Sequence, residues 1–259
     1  MASGKILVTG ASTGIGEATV RRLREAGFQV VATARREERL AKLAEETGCD
    51  YVAGDITSDE DVERIVAHAN EGTPVTGLVN NAGGALGLDS IAEAKIDDWQ
   101  TMYDRNVLGA LRVTRALLPT IRENGGDIVF VTSVAAHELY QGGAGYTAAK
   151  HGEYALARTL RMELVGEPVR VIEICPGMVK TEEFSLRRLG SVEAAEKVYQ
   201  GVDEPLRAED LAECIAWTLE LPKHVNVDQM TVRPIAQVSS ALIARNDKEP
   251  TALPTTSIA

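Results

Sequence analysis

Cysteine, histidine, aromatic residues and positive charge are all sparse in this chain, and each shortage excludes something. The three cysteines among 259 residues, Cys49, Cys175 and Cys214, stand far apart with no Cys-x-x-Cys pair. They form no disulfide framework and read as small apolar side chains in a reducing compartment. The four histidines show no metal-ligand spacing, so no metal is expected. Lys and Arg number 27 against 38 Asp and Glu, for a formal net charge of −11 and a pI of about 5.0. With no basic block, the chain lacks the electrostatic footprint of a nucleic-acid or anionic-membrane binder. No apolar run is long enough to span a bilayer. Met1-Ala2-Ser3-Gly4-Lys5 leads straight into a short strand without an apolar leader, and the expected location is cytoplasmic. What remains, 44% hydrophobic and 25% charged, suits one sizeable α/β domain or two small ones.

The apolar run 5–9 ends in Gly10-Ala11-Ser12-Thr13-Gly14-Ile15-Gly16, and a helical pattern follows to Ala26, closed by Gly27. Strand, glycine loop and helix make the context of a phosphate cradle. Glycines let the backbone approach a pyrophosphate, and free N–H groups at the helix start attract the anion. An ordinary tight turn is the alternative. The second strand, 28–33, runs into Arg35 and Arg36 where NAD-binding units place a carboxylate. Guanidiniums suit a phosphate monoester, so the cofactor expected is NADP, with Ser12 adding a hydroxyl donor. Otherwise both arginines sit on a solvated helix start. Asp55, after the third strand at 51–54, either accepts from an adenine amino group or caps the turn before Thr57.

The fourth strand, 77–79, opens into Asn80-Asn81-Ala82-Gly83-Gly84, where small residues and amides suit close backbone approach. The longest helical pattern, 97–122, carries Asn106 inside it, either as a core hydrogen-bonding group or as a helix break beside a site. Strand five, 127–132, ends at Ser133. His137, Glu138 and Tyr140 follow in the loop 134–145 as loop or substrate-wall residues. A helix at 146–165 and a strand at 169–175 lead to Pro176-Gly177-Met178-Val179-Lys180-Thr181. The irregular helical stretch 182–200, broken at Gly190-Ser191, is placed as a lid. In it, Arg187 and Arg188 either meet an acidic substrate or face solvent. A helix at 208–221 and a strand at 228–233 close the pattern.

Tyr146 and Lys150, four residues apart, leave one helix face about 6 Å apart along the axis. A phenol of pKa near ~10 is a poor acid or base at neutral pH, and an ammonium one turn away favours the phenolate. Repeated βα units predict a doubly wound Rossmann-type fold of three α/β/α layers, its parallel sheet of about seven strands carrying helices on both faces. Gly10–Gly16, Arg35, Asp55, Asn80–Gly83, Ser133 and Pro176–Thr181 then all fall at carboxyl strand ends, where such sheets bind ligands. One domain is expected over 1–243, and 244–259 is read as a tail, disordered or packed on a neighbouring subunit.

With Thr9-Gly10-x-x-x-Gly14-x-Gly16, Asn80-Asn81-Ala82-Gly83, Asn106, Ser133, Tyr146-x-x-x-Lys150 and Pro176-Gly177-x-x-x-Thr181 together, the chain resembles the classical short-chain dehydrogenase/reductase family up to about residue 240. The resemblance implies a catalytic tetrad of Asn106, Ser133, Tyr146 and Lys150. Tyr146 would be the acid/base and Ser133 would polarise the reacting oxygen, both touching substrate. Lys150 would bind the nicotinamide ribose, and Asn106 would hold a relay water. Cofactor contacts would come from Gly10, Ser12, Thr13, Gly14, Ile15, Gly16, Arg35, Arg36, Asp55, Asn81, Ala82, Gly83, Tyr146, Lys150, Pro176, Gly177, Val179 and Thr181. Thr132 and Ala136 depart from the usual Ser and Gly, and neither removes a catalytic group.

Ala34-Arg35-Arg36-x-x-Arg39-Leu40, Thr181-Glu182-x-Phe184-Ser185, Pro222-x-His224-Val225-Asn226 and Arg233-Pro234-Ile235-Ala236-Gln237 look similar to the bacterial NADP-dependent serine/3-hydroxy acid dehydrogenases. That branch implies hydride transfer between NADP and a small-molecule 3-hydroxy acid such as serine, allo-threonine or 3-hydroxypropionate. Reductases of secondary-metabolite aldehydes or ketones are the alternative branch. A non-enzymatic NADP(H) sensor fits less well, because the tetrad is intact. The resemblance also implies a homotetramer.

Overall fold

The computed structural model describes residues 4–246 and the backbone of 248–252. The centre of its sheet is built from runs that are buried along their whole length. In β5 (Gly126–Val131) and β6 (Val169–Pro176) every residue is buried, as a parallel strand covered on both faces requires. These two are flanked by β4 (Val75–Asn80) and β7 (Gln229–Val232). Beyond β4 come β1 (Lys5–Thr9), β2 (Gln29–Ala34) and β3 (Asp50–Ala53). The order is β3-β2-β1-β4-β5-β6-β7, all neighbours parallel, and it reverses direction between β1 and β4. Such a reversal opens a crevice at the carboxyl ends of the strands.

Helices cover both faces. On one, α1 (Gly14–Glu25), α2 (Glu37–Thr47) and α9 (Ala208–Glu220) pack Leu23, Leu40 and Ile215 against Val8, Val30 and Ile172. On the other, α3 (Asp59–Ala69), α5 (Gly109–Asn124) and α6 (Ala144–Glu163) pack Ile65, Leu117 and Leu160 against Leu7, Leu78 and Phe130. The three-layer sandwich expected from the βα alternation is present. The single helix expected over 97–122 is instead α4 (Ile96–Tyr103), a π-helical turn (Asp104–Leu108) and α5. Past the sixth strand, the lid consists of α7 (Phe184–Leu189) and α8 (Val192–Tyr199). Gly190 ends the first in a left-handed conformation, and the Ser191 hydroxyl caps the second. Where no periodicity is visible, β8 (Leu242–Arg245) pairs antiparallel with β9 (Lys248–Ala252). The rest of the expected tail, 253–259, lies outside the described residues.

A buried ion pair ties the centre of the sheet to its far edge. Arg170 on β6 and Asp127 on β5, each 4% exposed, meet at 2.5 Å, and Lys223 adds a second contact to Asp127 at 2.8 Å. Arg170 also donates to the carbonyls of Leu219, Leu221 and Val225, fastening the connection between α9 and β7. Removing the carboxylate strands a buried guanidinium. Asp127→Ala is expected to destabilise the fold by about 3–5 kcal/mol. Urea unfolding measures this, and a loss below about 1 kcal/mol would mean that the carbonyls alone satisfy Arg170.

Candidate active site

The carboxyl ends of the strands open into a cleft of about 1680 Å³. At its floor the glycine loop joins β1 to α1. Gly14 has a φ of 57°, and a side chain there would press on Thr181, 3.3 Å from the added carbon. Gly16 permits a closer approach: a Cβ would stand 2.4 Å from the carbonyl oxygen of Gly10 and 2.5 Å from the Asn81 amide. The Asn81 side chain in turn donates to Thr9 O at 2.9 Å, locking β4 beside β1. Thr13, at the start of α1, makes no side-chain cap, so the first N–H groups of this twelve-residue helix are left for a ligand. This cradle fits a pyrophosphate by shape and by polarity.

Arg36 reaches back to the loop, donating to Ser12 Oγ at 2.9 Å, and pairs with Glu183 at the lid's start. Burial works against ionising Glu183, but Arg36, Arg187 and Arg39 outweigh it and hold the carboxyl below the usual range. Arg35, half-exposed, lies 3.7 Å from Asp55. Asp55 has divided loyalties: one oxygen accepts from the Thr57 N–H and hydroxyl, as a turn cap does, and the other faces Arg35.

Across the cleft stand the groups carried by β5, α6 and the π-turn. Tyr146, on the first turn of α6, packs with Ala85, Met102, Ala135 and Ala149. Lys150, one turn on, is 4% exposed, with Nζ 6.0 Å from the Tyr146 ring centre. Nζ donates to Val131 O at 3.1 Å and to Glu153 Oε2 at 2.6 Å. Burial opposes its charge most strongly, yet Glu153 foremost, with Tyr146 and Cys175, outweighs that and holds Lys150 above the ordinary lysine range. Ser133 Oγ accepts from Ala135 N at 3.1 Å, capping the short turn Val134–Ala136, and still faces the cleft. Asn106 is fully buried in the π-turn. Its amide holds both polar groups of Gly84 and Met102 O, which fixes the loop carrying Gly83 against Lys150.

Of the residues singled out from sequence, Gly10, Ser12, Thr13, Gly14, Ile15, Arg35, Arg36, Asp55, Asn81, Ala82, Gly83, Ser133, Tyr146, Lys150, Pro176, Gly177, Val179 and Thr181 line this cleft. Gly16 and Asn106 do not line it; they sit behind the wall and set its position. From the loop after Ser133, Tyr140 joins the wall, while His137 and Glu138 turn away. His137 Nε2 lies 3.0 Å from Glu173 and 3.5 Å from Cys175 Sγ, and Glu138 binds Arg233 and Ser240. The lid closes over the site through Arg188, whose Nε donates to Gly87 O at 3.1 Å. Its guanidinium carbon stands 5.4 Å from the Tyr140 ring centre and 5.5 Å from that of Tyr146.

A phosphate cradle and a buried Tyr–Lys pair thus share one cleft, and the model of the short chain dehydrogenases matches residues 4–189. The chain belongs to the short-chain dehydrogenase family. An uncharacterized oxidoreductase of Mycobacterium tuberculosis is 53% identical to it over 237 residues, covering 91% of this chain and 92% of that one. Serine 3-dehydrogenase of Agrobacterium fabrum is 42% identical over 238 residues, covering 91% and 95%. The solved closed form of serine dehydrogenase complexed with NADP+ matches with a TM-score of 0.86 at 37% identity, covering 93% of this chain and 99% of that one. This short-chain dehydrogenase is therefore an oxidoreductase of a family that binds a nicotinamide cofactor. Among the described residues no helix is long and apolar enough to cross a membrane.

Three groups in or behind the cleft of this short-chain dehydrogenase escaped sequence reasoning. Arg105 and Gln237 line the wall, and Gln237 accepts from Met178 N at 2.7 Å. Glu153 carried a usable signal, since three residues after Lys150 on a helix is the spacing of an ion pair. Gly16→Ala forces α1 away from β1, because backbone atoms of Gly10 meet the new methyl. It is expected to weaken binding of the reduced nicotinamide cofactor about tenfold or more, the equivalent of one charge-assisted hydrogen bond. Quenching of cofactor fluorescence measures this; unchanged affinity would show that the cradle tolerates the displacement.

Proposed function

We propose that this short-chain dehydrogenase oxidises a small 3-hydroxy acid with NADP+ and reduces the corresponding 3-oxo acid with NADPH. The position of Arg188 carries the substrate class. Its Nη2 is buried and has no hydrogen-bond partner among the described residues, and the guanidinium lies beside the Tyr146 ring. A buried donor without a partner is costly, and a carboxylate is the anion whose geometry suits a guanidinium. A 3-hydroxy acid separates its hydroxyl carbon from its carboxylate by one carbon, short enough to meet Tyr146 and Arg188 together. Serine has that arrangement, in keeping with the relatives described above. Support for NADP comes from Arg36, already turned to Ser12 in the glycine loop, with Arg35 next to it at the end of β2.

When bound, the nicotinamide supplies the two-electron acceptor for the hydride from the carbinol carbon. The chain's own groups handle the proton. Tyr146, as phenolate, takes the hydroxyl proton as the carbinol C–H bond breaks and the C–O bond becomes a carbonyl. Ser133 donates to the same oxygen. The Lys150 ammonium favours the phenolate and is placed to hold the nicotinamide ribose. Asn106 keeps the Gly83–Gly84 loop beside Lys150, where a relay water belongs. The remaining cofactor contacts fall to the glycine loop, Asp55, Asn81–Gly83 and Pro176–Thr181. A homotetramer is the assembly this reading favours, supported by exposed Met162 on α6 and by Ile235 and Val238 past β7.

Initial rates with NADP+ and NAD+ against 3-hydroxy acids, their methyl esters and neutral secondary alcohols test the proposal. Free acids with NADP+ are expected to be preferred. Arg188→Ala is expected to lower kcat/KM for the acids by about 10- to 150-fold more than for neutral alcohols, which lose only the lid contact to Gly87, the difference being the worth of one charge-assisted hydrogen bond. Tyr146→Phe should abolish turnover of both and retain cofactor binding. Equal rates on acid and ester, or a preference for NAD+, would overturn the substrate or cofactor assignment respectively.

A further inference from the structure

Glu153 is 1% exposed and lies on the sheet-facing side of α6, three residues after Lys150. A carboxylate in such a place needs a partner, and it has one: Oε2 is 2.6 Å from Lys150 Nζ. The pair is walled in. Tyr146 faces it from the same helix, Glu173 and Cys175 from β6, and His137 closes on Glu173 from the loop beyond Ser133. Thr132 donates to Glu173 at 2.7 Å.

We propose that Glu153 is a positioning residue of the reaction, keeping the Lys150 ammonium charged and in place beside Tyr146 and thereby setting the pH range in which Tyr146 accepts the substrate's proton. This rests on the roles given to Tyr146 and Lys150 above. Burial is the strongest influence on Lys150 and favours the neutral amine; Glu153 is the largest influence opposing it. Burial also pushes the Glu153 carboxyl up, to about 7, against the pull of Lys150 and with a further push from Glu173. The sign follows. As pH falls through about 7, Glu153 takes up a proton and ceases to offset the burial of Lys150. Above that pH the carboxylate is present and the ammonium is held. Glu153→Gln fixes the chain in the state without the carboxylate at every pH.

The test is the pH profile of kcat/KM for alcohol oxidation, wild type against Glu153→Gln. The acidic limb is expected to move upward by about one pH unit or more, about tenfold in rate on that limb, with little change in KM for the alcohol. A second readout needs no turnover: tyrosinate ultraviolet absorbance, taken as the difference between each protein and its Tyr146→Phe counterpart. In Glu153→Gln that absorbance should develop at higher pH, whether or not a hydroxy acid proves to be the substrate. Should Glu153→Gln not fold, Glu173→Gln tests the same link in the opposite direction. It removes the neighbour that disfavours ionised Glu153, so both readouts should move to lower pH. Readouts that stay in place, or move against these directions, overturn the proposal.

Discussion

A single buried ammonium holds together the wall of this cleft that carries Tyr146. Lys150 reaches from α6 to the carbonyl of Val131 at the end of β5, and its remaining contact is Glu153 on its own helix. The sheet end and the helix that carries Tyr146 are therefore joined by a charged group with almost no access to water. Charge in such surroundings is costly unless paired and hydrogen-bonded, and here it is both. The phenol and the serine hydroxyl keep their relative positions because this contact fixes α6 against β5. Asn106 does the same from the other side. By occupying the π-turn and binding Gly84, it presses Gly83 so close to Lys150 that a methyl there would collide with its own amide.

Topology explains why these contacts occur at one end of the molecule. Seven parallel strands present all their carboxyl ends on one rim, and the reversal of order between β1 and β4 parts the connecting loops there. The core beneath is apolar on both faces, with the Asp127–Arg170 pair as the buried charge that spans β5 and β6. Chemistry is gathered on the loops and helices that meet this rim of a rigid sheet. Close approach is the recurring local demand on that rim. Gly16 lets α1 touch β1, and Asn81 fills the gap between β1 and β4 with an amide instead of a side chain that would block the cradle.

What was legible in the chain was whatever depends on local chemistry. Apolar runs fixed the strands to within a residue or two, because a strand buried on both faces tolerates few alternatives. The glycine loop, Ser133 and Tyr146–Lys150 were legible because spacing along an element dictates which side chains meet. What stayed hidden depended on packing between distant elements. The π-turn at Asp104–Leu108 falls where Asn106 admitted a helix break, but the apolar pattern over 97–122 does not mark its extent or its π geometry. Arg188 has neighbours of either kind in sequence. Only the return of the lid, with Gly87 and Arg188 exchanging backbone and side-chain bonds across a hundred residues of chain, aims it at Tyr146. His137 stands in a loop next to the site, yet β6 supplies Glu173 and Cys175 as its partners and draws it away.

The lid and the cofactor end of the cleft are coupled through charge. Glu183, where the lid begins, is shared among Arg36, Arg39 and Arg187. Arg36 is at the same time the arginine that touches the glycine loop through Ser12. A phosphate entering beside Ser12 competes with Glu183 for that guanidinium. The carboxylate does not become a bare charge in consequence, since Arg39 and Arg187 still face it. The competition changes the lid's attachment while preserving its charge balance. An anionic ligand can thereby displace a contact at the base of the lid without the penalty that stranding a buried carboxylate would impose. At the other end of α7, Arg188 is held by Gly87 through its Nε, so this short helix runs from the carboxylate that meets Arg36 to the guanidinium that faces Tyr146.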